Sequence, residues 1–466
     1  MSELAGPAQA FLDQSPGGLM VTASSDPAEP GRYSRVLVCA ADRGQLRELA
    51  RSGVVSREVR STTIGVWLDA ATSALSYLPR PTPRGASLTA IRSRAEADGW
   101  FCVLRFDRPT SIGVVLGELA RQSVWPDHAV PLSPIDIRVI NPIGFDADGS
   151  EPVVPFSALD LSRGVTEGLV RSLRPALGVR LDTEVDDVVR LGLAVAGVPI
   201  ESDGVDLTDR AAREEHSIRR RREAIDALVP ASGRPSVSVL LATKRPEMLE
   251  HAVGQVARQR GVERLELVLA PHGFVPDVGQ VRDLLGDRDL QLVPQLSSVV
   301  FGDVLNAAVA AARGDVVVKM DDDDWYSPDF VADLLRARAY SGADLVGTAD
   351  EFYYLSERDQ TVHRRHPGEF YTQWVAGGTL MLARSLLAEV GGFAAVPKHV
   401  DRHLLDALLA VGAVVYRTHG LGYVLRRNTE GHTYDADLER ILDPDQLVAT
   451  CDGFHPSRLV DPSETT

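Results

Sequence analysis

Between residues 237 and 320 the chain repeats one unit, a strand-length apolar run followed by a segment with helical spacing. VSVLLA at 237–242 leads into TKRPEMLEHAVGQVARQRG, where Leu249, Ala252, Val253 and Val256 share one helical face. LELVLA at 265–270 comes next, then LQLVP, then FGDVLNAAVAAARGD, then VVVKM at 316–320. Apolar runs without polar alternation belong to strands buried on both faces, and strands joined through helices run parallel. The expected fold is therefore α/β, with a Rossmann-like, mostly parallel sheet in the C-terminal half. In such sheets ligands bind beyond the carboxyl ends of the strands. The last run ends there in Asp321, Asp322, Asp323 and Asp324.

Four adjacent carboxylates raise one another's proton affinity unless a cation neutralises them, and carboxylates are the donors that hard divalent ions prefer. On extended backbone Asp321 and Asp323 share one side and Asp322 and Asp324 the other. One pair then faces a ligand while the other secures the turn before Trp325. A plain alternative is a solvated acidic turn in which Asp324 or Ser327 caps the next helix. The Asp-x-Asp of haloacid-dehalogenase phosphatases does not fit, because Trp325 stands where that motif needs Thr or Val.

A chain of 466 residues implies two or three domains. Residues 1–34 mix Ser, Pro, Gly and Asp without a periodic face and read as a flexible arm. Residues 35–205 read as an N-terminal α/β domain, with strands at RVLVCA (35–40) and FCVLRF (101–106), and carry no site motif. Residues 206–236 read as a solvated, charged linker helix, DRAAREEHSIRRRREAIDAL, and a Pro/Gly hinge; acids three and four positions from the arginines can pair with them. The α/β domain with the acidic run spans 237–435, and 436–466 form a C-terminal extension.

A formal charge of −16 gives no general attraction to nucleic acid or anionic lipid, so no nucleic-acid partner is expected. Three distant cysteines, Cys39, Cys102 and Cys451, make neither a disulfide framework nor a zinc site. No apolar stretch of spanning length occurs, and the first residues lack the basic and apolar regions of a secretory signal. The expectation is a cytoplasmic protein, with peripheral attachment to the inner face of a membrane left open.

VSVLLATKRPEML at 237–249, GDVLNAAVAAARGDVVVKMDDDDWYSPDF at 302–330 and GGTLMLARSLLAEVGGF at 377–393 resemble, in order and spacing, the family 2 glycosyltransferases with the GT-A fold. The resemblance implies a metal-dependent, inverting transfer of sugar from a nucleoside-diphosphate sugar, a uridine diphosphate sugar in the commonest case. The acceptor would be a glycan such as a cell-envelope polysaccharide, a lipid-linked sugar or a small molecule, and a homo-oligomer is compatible with it. By the same likeness Asp321 contacts the donor ribose, Asp323 holds Mg²⁺ or Mn²⁺ on the diphosphate, and Asp322, Thr243, Arg245, Asn306, Gly377 and Gly378 line the nucleotide-sugar site. His432, in the NTEGHTY loop, is the candidate second metal ligand.

Two positions depart from the family pattern. After the second strand, where members place an Asp that reads the base, this chain has Ala270, Pro271 and His272, so His272 becomes the candidate base contact. After the GGF segment members usually carry a Glu-Asp pair, whereas here Val400 precedes Asp401. Asp401 is the candidate general base, and an N-terminal helix cap is its bland reading. These departures keep two other readings alive: a nucleotide-sugar-binding protein without turnover, and a sugar nucleotidyltransferase that would release pyrophosphate.

Overall fold

The computed structural model describes residues 6–13, 16–22, 24–26, 28–41, 45–46, 49, 58–69, 88–96, 99–120, 151–161, 165, 167–173, 175–201, 204–228, 234–341, 343–366, 368–410, 413, 415–427 and 438–460. The chain forms two compact units, Met1–Pro134 with Ala410–Val414, and Ile135–Leu409 with Val415–Thr466.

The first unit is a six-stranded sheet in which Gly18–Val21, Arg35–Ala40, Val59–Leu68, Gly99–Ser111 and Leu88–Glu96 lie side by side in that order. Gly31–Tyr33 pairs with the start of Val59–Leu68. Alternate residues of the strands feed two apolar layers, as the period of two requires. Val36, Val38, Ile64, Val66 and Leu104 pack against helix Ile112–Ala120 through Ile112, Val115 and Leu116. Leu37, Trp67 and Phe101 pack against Phe11 of helix Gly6–Asp13. The expected strands at 35–40 and 101–106 are present, the second inside a longer one. The region expected as a loose arm instead supplies that first helix and two short strands. Elements of three to eight residues are too short to show a period in a sequence of mixed polarity.

The second unit starts earlier than the expected boundary at 205. Helix Asp187–Val195 packs on helix Arg210–Leu228, and Val154–Pro155 pairs with Val179–Arg180. The charged segment is helical, as its spacing predicts, but it is not a solvated linker. Its Ile218 sits in a cluster with Phe352, Leu421, Val424 and Val460. Arg222 places Nη2 2.6 Å from Asp333 Oδ2 and Nη1 2.8 Å from Asp329 Oδ2, and Arg221 lies 3.0 Å from Glu369 Oε2. Residues 229–233 of the expected hinge lie outside the described residues.

The main sheet of this unit has eight strands, in the order Asp289–Leu292, Leu265–Pro271, Val237–Thr243, Val316–Met320, Met381–Ala383, Leu345–Thr348, Val415–Thr418 and Phe370–Thr372. Val237 lies opposite both Leu265 and Val316 in parallel register, so Thr243, Pro271 and Met320 reach the same edge together. Met381–Ala383 runs antiparallel between Val316–Met320 and Leu345–Thr348. The connecting helices Leu249–Ala257, Val278–Leu285 and Phe301–Ala311 turn Leu249, Val253, Val281, Val304 and Leu305 inward, all of them buried. This is the expected α/β architecture with a mixed, largely parallel sheet.

A five-stranded sheet stands beside it, ordered Trp325–Tyr326, Tyr423–Arg427, Phe352–Leu355, Gln360–Arg364 and Leu447–Asp452. Residues 447–452, expected in a separate C-terminal extension, form its last strand. Phe454 lies against Trp325 with ring centroids 4.4 Å apart. Among the described residues no helix is long and apolar enough to cross a membrane.

Candidate functional site

Strand Val316–Met320 delivers the acidic run to the carboxyl edge of the main sheet, and the four carboxylates then separate into two roles. Asp322 and Asp324 are tied into the protein. Thr243 Oγ1 donates to Asp322 Oδ2 at 2.5 Å, and Arg245 Nε donates to the same oxygen at 3.1 Å. Tyr423 Oη donates to Asp324 Oδ2 at 2.6 Å, and the Arg426 backbone N–H donates to Oδ1 at 2.9 Å. The alternation expected of an extended backbone is not realised: the chain bends at 322–323, and Asp322 and Asp323 share one cation, Arg245. The solvated-turn reading fails, because Asp322, Asp323 and Asp324 are all buried.

Asp323 is joined to Arg245, whose Nη1 lies 2.9 Å from Oδ2. Burial raises the proton affinity of the Asp323 carboxyl, Arg245 opposes that rise and Asp322 adds to it. Asp324 is pushed well above the usual carboxylate range, first by burial and then by Asp323 and Asp321. Asp321 is the most open of the run, with its side chain 35% exposed. Its backbone N–H donates to Tyr326 Oη at 2.7 Å, and that hydroxyl donates to the Gly378 carbonyl at 3.0 Å.

Asp401 reaches the same place from the first turn of helix Val400–Ala410. Burial pushes its carboxyl up to about 6, with Lys319 opposing and Asp321 assisting. Immediately before this helix His399 takes a left-handed backbone conformation, φ 61°, which a non-glycine residue holds only where its surroundings impose it. Gly377 and Gly378 lie tightly against two of the carboxylates: a Cβ on Gly377 would lie 2.4 Å from Asp401 Oδ2, and one on Gly378 would lie 2.8 Å from Asp321 Oδ2. Any side chain at either position would displace a carboxylate.

The structure thus gathers Thr243, Arg245, Asp321, Asp322, Asp323, Gly377, Gly378 and Asp401. His272 closes the second strand at the same edge, where its N–H donates to the Thr243 carbonyl at 2.7 Å; its Nε2 is buried and without a hydrogen-bond partner. Asn306 differs from its expected role. Its Nδ2 donates to the Phe393 carbonyl and its Oδ1 accepts from the Phe393 N–H, both at 2.8 Å, so the amide anchors the GGF turn. His432 lies outside the described residues. Trp325, next to the acidic run, carries the Arg426 guanidinium 4.2 Å above its ring.

Sequence reasoning passed over Lys319, Tyr326 and Tyr423. Lys319 alone left a signal, a cation inside an otherwise apolar five-residue strand. The two tyrosines read as ordinary aromatic core, and only the fold reveals their hydroxyls on the acidic run.

The sheet order and the acidic run define an α/β fold with carboxylates gathered at the carboxyl edge of a largely parallel sheet. Residues 282–405 match the family described as Glycosyl transferase family 2. The matched stretch includes Lys319, the four aspartates, both glycines and Asp401. The chain is 24% identical over 249 residues to the uncharacterized protein y4gI of Sinorhizobium fredii (strain NBRC 101917 / NGR234), covering 44% of this chain and 27% of y4gI. It is 28% identical over 115 residues to EpsH of Bacillus subtilis (strain 168), provisionally named a glycosyltransferase, covering 24% of this chain and 33% of EpsH. It therefore spans about a third or less of these relatives. A solved structure, the mannosyltransferase PcManGT from Pyrobaculum calidifontis in complex with GDP-Man and Mn²⁺, is similar at 18% identity with a TM-score of 0.35, over 43% of this chain and 59% of that one.

Proposed function

We propose that this chain moves a sugar from a nucleoside-diphosphate sugar to an acceptor hydroxyl by direct, inverting displacement, with residues 237–435 as the transferase domain. The observation that carries this reading is the meeting of Asp321 and Asp401 on one buried ammonium, Lys319, at the carboxyl edge of the sheet. One carboxylate lies at the exit of the strand that leads to a nucleotide in folds of this type. The other has a proton affinity matched to base catalysis near neutral pH.

Among the described residues no group of three or more His, Cys, Asp or Glu side chains is arranged to hold a metal ion. A hard cation that arrives with its phosphates needs only one or two protein carboxylates. Asp323 fits that demand, since it is buried, adjacent to further carboxylates and partnered by the displaceable cation Arg245. Mg²⁺ or Mn²⁺ bound there with the donor would stabilise the charge that develops on the diphosphate leaving group.

The chain's own groups do the remaining work. Asp321, the most exposed of the four, receives the donor ribose, and Arg245 lies within reach of the diphosphate. His272 presents an unpartnered nitrogen at the end of the second strand, where the base of a UDP-sugar would be read. Asp401 removes the proton from the acceptor hydroxyl as that oxygen attacks the anomeric carbon.

The test is a thermal-shift panel of UDP, GDP and their sugars with Mn²⁺, Mg²⁺ or chelator, on the full chain and on Asp323→Asn. Stabilisation that needs metal and is lost in the variant supports the reading. A folded wild type that responds to no nucleotide would overturn it.

A further inference from the structure

Lys319 occupies a central strand with Val237–Thr243 on one side and Met381–Ala383 on the other, and its side chain is 4% exposed. An ammonium in such a place is stable only when its three donors are answered. The structure answers all three. Nζ lies 2.6 Å from Asp321 Oδ1, 3.1 Å from the Gly377 carbonyl, and 3.3 and 3.5 Å from the two carboxylate oxygens of Asp401. The partners come from three separate segments: the strand exit, the turn Gly377–Thr379 and helix Val400–Ala410. Asp401 Oδ1 is buried and accepts no hydrogen bond, so the ammonium 3.3 Å away is its charge partner. With glycine at 377, nothing stands between the lysine and that carboxylate.

We propose that Lys319 is a positioning residue for sugar transfer, fixing the base Asp401 relative to the donor-side carboxylate Asp321 by bonding both from beneath. Among the described residues Lys319 is the group that hydrogen-bonds the Asp401 carboxylate, with His399 adding a weaker charge interaction. A base displaced by about 1 Å loses much of its rate even when the donor still binds. This inference rests on the function proposed above, and its test separates the two.

The test uses the full chain with Lys319→Met, which keeps the stem and removes the charge, Lys319→Arg, Asp401→Asn, and Lys319→Met combined with Asp401→Asn. Turnover is measured with UDP-glucose, UDP-N-acetylglucosamine and GDP-mannose in turn. With a donor that turns over, Lys319→Met lowers kcat by about tenfold or more while the donor KM changes less than about threefold. Lys319→Arg restores part of the loss, and adding Lys319→Met to Asp401→Asn costs nothing further. A full additional loss in the double variant, or a KM effect without a kcat effect, would overturn the proposal. The second readout needs no turnover: melting temperatures of the same four variants form a cycle. If Lys319 holds Asp401, the double variant loses less than the sum of the single losses; additive losses overturn the proposal. A wild type that transfers from no nucleotide sugar would sink the proposed function, and the melting cycle would still decide whether Lys319 holds Asp401.

Discussion

Arg221 meets Glu369 at 3.0 Å with side chains 5% and 1% exposed, so one cation of the four-arginine run is an internal part of the second unit. Glu369 also accepts from Tyr416 Oη at 2.6 Å and Thr418 Oγ1 at 2.7 Å, and it holds a left-handed backbone conformation, φ 61°. Removing one member of a buried pair leaves an uncompensated charge, a loss of about 3–5 kcal/mol. Arg221→Met should therefore lower the melting temperature of the second unit sharply. Arg219→Met, in an exposed pair with Glu215, should change it hardly at all. Equal effects in the two variants would contradict the burial described.

Asp401→Asn removes the proposed base while preserving size. The expected result is a loss of about 10²–10⁴ in kcat with the fold intact. Activity within about twofold of wild type would remove Asp401 from the reaction.

The pH dependence of transfer follows from the same group. In the proposed role Asp401 works ionised, and its carboxyl is pushed up to about 6. Turnover should therefore be steady above about pH 7 and fall as the pH drops through 6, about tenfold per unit. A rate that stays constant from pH 7 to pH 5 would show that another group accepts the proton.

Gly377→Ala is the steric counterpart of the base variant. Its Cβ would stand 2.4 Å from Asp401 Oδ2, and displacing the carboxylate by about 1 Å should lower kcat by about a hundredfold. Metal-dependent binding of nucleotide, read by thermal shift, should survive this change. It should not survive Asp323→Asn.

Glu351 offers a prediction about stability instead of rate. Its side chain is almost wholly buried, accepts the Gly420 N–H at 2.8 Å, and burial raises its carboxyl to about 8. The folded value lies above the unfolded one, near 4.3. The neutral form is therefore favoured by folding, and this contribution to stability is present below the unfolded value and lost as the pH rises to about 8. Glu351→Gln keeps an acceptor for Gly420 and cannot ionise. Its melting temperature should exceed that of wild type at pH 8–9 by about 2–4 °C or more, and the difference should shrink toward pH 5. A variant less stable than wild type at pH 9 would refute this.

The main sheet and the acidic edge were legible in the sequence because both are local signals: apolar runs of strand length, and four acids at the exit of one of them. Gly377, Gly378 and Asp401 were singled out through family likeness alone, and the fold brings them beside Asp321 and Lys319. Arg221 and Arg222 were not, because their partners Glu369, Asp329 and Asp333 lie more than a hundred residues downstream and nothing in a charged helix announces them. The role of Asn306 was hidden for a similar reason, since its amide is matched by the backbone of Phe393, which composition cannot show. The N-terminal segment misled because its helix and strands are shorter than any window in which a period can be counted.

Asp324 is held by the Tyr423 hydroxyl and the Arg426 backbone, while Trp325 and Tyr326 pair with Val424 and Tyr423. The acidic exit and strand Tyr423–Arg427 are therefore a single clasp closed by residues a hundred positions apart. Shortening the protein before Tyr423 would not trim a tail. It would strip Asp324 of both its partners and leave the carboxyl edge of the sheet without a backing wall.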